Sequence, residues 1–116
     1  MHRFKDLEIW RLSRKFCSDI YIVTGNFPDS EKFGLTNQLR RASVSIPSNI
    51  AEGCSRSSNK DFSRFLEIAI GSIYEIETQL LIALDLGYKE QIKLDELCFN
   101  SDRILKMPSK FRSTLK

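Results

Sequence analysis

Apolar residues return along this chain at alternating steps of four and three, the pattern of helices that bury one face. The stretch Leu35 to Gly53, LTNQLRRASVSIPSNIAEG, carries the pattern most fully. Its seam is Leu35, Leu39, Ala42, Ile46, Asn49 and Gly53. Thr36 is the expected N-cap of this second helix, unless the helix begins a turn earlier. Pro47 removes one backbone N–H and pushes against the carbonyl of Ser43, so the helix either kinks or stops and restarts. Apolar spacing stays in phase from Leu39, Ala42 and Ile46 on to Ile50, which favours a kinked, continuous helix. Ser43, Ser45 and Ser48 offer hydroxyls to the freed backbone groups.

Three further segments show the same period. The first runs from about Leu7 to Thr24, with Asp6 as the expected cap. It carries one stripe of Ile9, Phe16, Ile20 and Val23 and another of Leu7, Trp10, Cys17 and Tyr21. Gly25 is expected to end it in the left-handed region, with Pro28 beyond. The third helix is expected from about Lys60 to Leu86, capped by Ser58 or Asn59 and closed by Gly87. Its seam is Phe62, Leu66, Ala69, Ile73, Ile76, Leu80 and Ala83. Phe65, Ile68, Ile70, Leu81 and Ile82 fall off that seam, so more than one side of the helix is expected to be covered, by another subunit or, if this is the central helix of a monomeric bundle, within the protomer. Gly71 weakens the helix interior, and close approach of another helix is the expected compensation. A fourth helix is expected over roughly Leu94 to Leu115, led in by Ile92, with Pro108 either kinking it or splitting off a short last segment, and with a basic tail of Lys106, Lys110, Arg112 and Lys116. Four helices with short connectors predict an all-α, antiparallel up-down-up-down four-helix bundle, a single domain over 1–116.

Composition narrows the function classes. Net charge is +3 and hydrophobic content 41%, an ordinary globular balance that permits nucleic-acid binding without requiring it. Cys17, Cys54 and Cys98 are widely spaced and odd in number, which reads as reduced thiols. The absence of a signal core or a bilayer-length apolar run predicts a cytoplasmic protein with no membrane partner. His2 is the only histidine, so no His-based catalytic arrangement, zinc spacing or Glu-x-x-His pair can be assembled. The carboxylates Glu67, Glu75, Glu77, Asp95 and Glu96 read as a solvated face or as ion-pair partners, and Glu75 and Glu77 point to different sides. The expectation is a non-enzymatic protein with no cofactor and no metal.

Positive charge is the remaining candidate chemistry. Arg40 and Arg41 stand on the second helix, Arg56 in the turn after it, and Lys60 and Arg64 one turn apart at the start of the third. Such residues can contact phosphates without reading bases. They can equally solubilise one end of a bundle, and Arg41 can pair with a carboxylate such as Glu52.

FKDLEIW, FGLTNQLRRASVSIPSNIAEG and DFSRFLEIAIGSIYEIETQLLIALDLGY occur in one collinear order over nearly the whole chain. In these segments the chain resembles the four-helix bundle family encoded in intervening sequences of bacterial 23S ribosomal RNA. The resemblance implies a ring-shaped homo-oligomer, in relatives a homopentamer. It also implies a likeness in fold to the accessory variability protein of diversity-generating retroelements, a basic pentameric bundle that works with a reverse transcriptase and RNA. By position, Arg40 and Arg41 match the family's paired arginines, and Pro47, Asn49, Glu52 and Gly53 match its SIPSNIAEG segment. Met107-Pro108-Ser109 departs from the family's usual ending. The expected function is an oligomeric module for RNA or a ribonucleoprotein. The alternative is a protein scaffold, for example for a reverse transcriptase, without nucleic-acid contact.

Overall fold

The structure, a computed structural model, describes residues 3–88 together with 96, 97, 100, 101, 103, 104 and 106. Among them are three bounded α-helices and no strand: α1 (Glu8–Thr24), α2 (Leu35–Cys54) and α3 (Asn59–Leu86). Short 3-10 turns at Phe4–Asp6 and Asp29–Glu31 precede α1 and α2. The expected bundle has four helices, and only three are bounded here. Much of the fourth expected segment, including Pro108 and most of the basic tail, lies outside the described residues, as does His2. The described residues from 96 to 106 are helical.

The chain folds back on itself at each connection. Ser43 Oγ on α2 lies 3.4 Å from Cys17 Sγ on α1, while Arg40, one turn earlier, reaches Thr24. Gln79 donates to Gln38, and Ser72 to Ser45, so α3 descends as α2 rises. Both neighbours are therefore antiparallel to α2. The seams expected from spacing form one core. Ile20, Leu39, Ile46, Ile50, Leu66, Ile73, Ile76 and Leu80 are fully buried. Leu97 and Ile104 join the same core, and Ser101 donates to Glu77 on α3. Among the described residues no helix is long and apolar enough to cross a membrane.

The helix ends depart from expectation, for local reasons. Asp6 does not cap α1, because the 3-10 turn consumes it and Leu7 becomes the N-cap without a side-chain bond. Gly25 is right-handed at φ −61°, not left-handed. Thr36 is buried inside α2. The free N–H of Leu35 is met instead by the carboxylate of Glu31, at 3.0 Å. Ser58 caps α3 by accepting from Asp61 N–H at 3.1 Å, and Gly87 closes it in the left-handed region at φ 71°. The helix continues through Pro47. Near it, Ser43 Oγ donates to Arg40 O, and Asn49 Nδ2 donates to Ser45 O.

Glycines locate the crossings. A Cβ on Gly53 would stand 2.7 Å from Phe62 Cδ1 and 3.0 Å from Phe65 Cβ, so α3 leaves no room for a side chain there. Gly71 contradicts its expectation within the protomer: a Cβ there would meet nothing within 4 Å among the described residues.

Candidate functional site

The five cations singled out by sequence do not form one patch. Arg40 and Arg41 are adjacent in sequence, but one residue of helix is about 100° of rotation, which sends them to different neighbours. Arg40 turns toward the end of α1. Its Nε donates to Thr24 Oγ1 at 2.9 Å and its Nη2 to Tyr21 O at 3.1 Å. The guanidinium also lies 4.7 Å from the Tyr21 ring centroid. Thr24 Oγ1 passes the bond on by donating to Ile20 O at 2.7 Å. A helix C-terminus leaves carbonyls without partners and favours positive charge. Arg40 supplies that charge and adds a further donor to Tyr21 O, which already accepts from Gly25 N–H, and so ties the end of α1 to another helix.

Arg41 faces the other way. It is exposed and makes no ion pair among the described residues. It lines a groove of about 330 Å³ between α2 and α3, with Gln38, Ala42, Ser45, Ser72 and Glu75. Polar rungs cross the floor. Gln79 Nε2 donates to Gln38 Oε1 at 3.1 Å and to Glu75 Oε1 at 3.3 Å, and Ser72 Oγ donates to Ser45 Oγ at 2.9 Å. Gln79 Oε1 is buried and accepts from nothing among the described residues. Arg41 and Glu75 line one groove without pairing to each other.

The other three cations gather at the α2–α3 turn. Glu52 pairs with Arg56, at 3.3 Å, and not with Arg41. The Arg56 guanidinium lies 4.8 Å from the Phe65 ring centroid. Lys60 and Arg64 are exposed, one turn apart, with no ion pair among the described residues. Arg41 lies twelve residues before Gly53 on α2, about 18 Å along the axis at 1.5 Å per residue. The cations thus divide into an internal clamp, a flank position and an end patch.

Titratable groups show where the environment acts. Glu31 is held below the usual carboxylate range, first by the Leu35 N–H and then by the Tyr88 hydroxyl, which donates at 2.8 Å. That bond and the nearby negative charge push Tyr88 up. Burial pushes the Cys54 thiol up. Cys17 and Cys54 are free, and Cys98 lies outside the described residues. Among the described residues no group of three His, Cys, Asp or Glu side chains could hold a metal.

Sequence reasoning missed two features of the α1–α2 connection. Glu31 ties the start of α2 to the residue beyond Gly87. Phe33, beside it, is 86% exposed, with the Lys32 ammonium 5.6 Å from its ring centroid. The signal for the first was an acid four residues before a helix start. The second had none, because an isolated Phe reads as core.

A crystal structure of a protein of unknown function from the S23 ribosomal protein family of Bacteroides thetaiotaomicron shares this fold. The TM-score is 0.84 at 24% identity, over 90% of this chain and 95% of that one. No curated protein matches. The model of the 23S rRNA-intervening sequence protein family matches residues 5–110, nearly the full length. The chain belongs to that family.

Proposed function

We propose that this protein is a non-enzymatic, self-associating module whose basic end contacts RNA phosphates. In this reading the segment from Leu94 to Leu115 supplies a fourth antiparallel helix, and protomers close into a ring, a homopentamer as the family resemblance implies. The observation that carries the RNA contact is the end patch. Lys60 and Arg64 are exposed, unpaired among the described residues and on one face, with Arg56 beside them. Cations without an internal partner are free to displace counterions from a phosphate backbone. One such patch binds weakly, and repetition around an oligomer multiplies it. Arg40 is assigned to the fold, because two of its donors are held by the end of α1 and its guanidinium lies against the Tyr21 ring.

The test is RNA binding by the nuclease-treated protein across a salt titration. Replacing Lys60 and Arg64 with glutamine is expected to weaken binding and to flatten the salt slope by about 0.7–0.9 for each phosphate no longer neutralised. Unchanged affinity and slope would return both residues to a solubilising role. Arg40→Gln should instead lower thermal stability.

A second reading, a scaffold for a protein such as a reverse transcriptase, is favoured by Phe33. Its turn is braced by Gly34 N–H to Glu31 O at 2.9 Å and by the Glu31 cap, so the ring is presented outward on a fixed backbone. A partner captured after nuclease treatment, and lost on Phe33→Ala, would support it.

A further inference from the structure

A second group of cations stands outside the end patch. Lys5, in the first 3-10 turn, and Arg11 and Arg14, on α1, are exposed and make no ion pair among the described residues. Arg3 pairs with Asp6 at 3.5 Å. Glu8 stands in the first turn of α1, where a helix start favours negative charge. Arg11 donates to Lys5 O at 3.1 Å, which holds the turn against the helix.

Aromatic rings lie among these cations. Phe4 and Trp10 meet edge to face, with ring centroids 5.0 Å apart. Both are half-buried and pack against the core. The Lys5 ammonium lies 5.9 Å from the Phe4 centroid, and the Arg14 guanidinium 5.6 Å from that of Trp10. Ring and guanidinium together make a surface that is both aromatic and positive. A cation–π pair alone can simply brace a surface. The position of these two changes the reading.

The topology brings them to the end that already carries Lys60 and Arg64. Helices α1 and α3 are both antiparallel to α2, so both start at that end. Cys17 of α1 lies beside Ser43 of α2, and Ser72 of α3 beside Ser45. From those levels Trp10 lies seven residues along α1 and Arg64 eight residues along α3, in the same direction. At 1.5 Å per residue these are about 10 and 12 Å. The first 3-10 turn packs on α2 as well as on α1. One end of the molecule therefore combines two sets of exposed cations with an aromatic surface.

Phosphates need only the cations. A ring among the cations suits a nucleic acid whose bases are unpaired. A free base has an open face to stack, whereas a duplex keeps its bases inside. We infer, on the basis of the phosphate contact proposed above, that the basic end takes single-stranded RNA. One base stacks on the surface formed by Trp10 and Arg14, while Lys5, Arg11 and the end patch hold the flanking phosphates.

Trp10 is the only tryptophan, so its emission reports on this surface directly. The probe is a uridine homopolymer of about twelve nucleotides, within the site sizes of single-strand binders. It is compared, at one low salt concentration, with an abasic strand and with an RNA duplex of the same length. The abasic strand carries the same phosphates without bases. The uridine strand is expected to quench Trp10 emission, to shield Trp10 from acrylamide, and to bind about fivefold or more tighter than the abasic strand. The abasic strand and the duplex are expected to leave Trp10 emission unchanged. Trp10→Leu, with helix content followed by far-ultraviolet dichroism, is expected to bring the uridine strand down to the affinity of the abasic one. The emission of the natural chain decides even where that variant loses its fold. If the uridine and abasic strands bind alike and Trp10 emission does not move, Trp10 holds no base, while the phosphate contact stands. If no strand binds, the phosphate contact fails and the stacking site with it.

Discussion

Glu31 shows how much one side chain can organise. It accepts from Leu35 N–H at 3.0 Å and from the Tyr88 hydroxyl at 2.8 Å, joining the start of α2 to the residue beyond Gly87. The first of these bonds is the main reason its carboxyl titrates low, and the second adds to it. A carboxyl whose folded value lies below its unfolded value stabilises the fold above the unfolded value, and that contribution is lost as pH falls through the folded one. For Tyr88 the value is raised, so its contribution is complete below the ordinary tyrosine value and is lost as pH rises through the folded one. Thermal melts taken from about pH 7 down to about pH 3 should therefore fall more steeply in the natural chain than in Glu31→Gln, which starts lower. Parallel curves would show that the Glu31 carboxylate adds nothing to stability.

The same residue scale explains what is legible in the sequence. The core seams are legible because burial follows helical period whatever the neighbours are: Leu39, Ile46, Leu66 and Ile73 are each fully buried. The caps are less legible. Ser58 follows a local rule. Glu31 acts from within a 3-10 turn, and Arg40 ties down the end of α1 from sixteen residues away, which no local rule contains. The arginine pair looks like one charge cluster in sequence because adjacency hides the rotation of a helix. The separation of Arg41 from Lys60 and Arg64 depends on where the turn places α3.

At the scale of the element, α3 sets two glycines in opposite environments. Gly53 of α2 lies under the α3 aromatics Phe62 and Phe65, while Gly71 lies in the open. Alanine is the better helix residue at either place by up to about 1 kcal/mol. At Gly53 that gain is overwhelmed. The new Cβ would stand 2.7 Å from an aromatic carbon and 3.0 Å from the Phe65 Cβ, which is anchored to the backbone and cannot swing away. Gly53→Ala is expected to destabilise by about 1–3 kcal/mol, the range for overpacked cores, as measured by urea denaturation. A midpoint equal to or above that of the natural chain would show that the crossing yields.

For the whole molecule, charge and apolar surface are unevenly placed. Lys60 and Arg64, without ion pairs among the described residues, stand in the first turns of α3, exposed apolar residues run down the outside of α3, and Phe33 projects from the α1–α2 connection. The function proposed above, contact with RNA phosphates at a basic end, draws on that distribution. The surplus apolar residues of α3 are visible in the sequence, but the surface they occupy is not. Off-seam positions can face a neighbouring helix or solvent, and only the placement of the neighbouring elements decides which.

The descending partnership of α2 and α3 has one more consequence. Gln38 meets Gln79, Ser45 meets Ser72, and Gly53 meets Phe62, all across a turn of a few residues. The pair is a hairpin that zips outward from its turn, each rung enclosing a larger loop than the last. Such a unit closes with little loop entropy and opens cooperatively. Amide hydrogen exchange should therefore find the slowest protons at mid-helix in α2 and α3 together, near Ile46 and Ile73, with α1 exchanging sooner. If α1 proves as slow as the hairpin, the three helices come apart as a single unit.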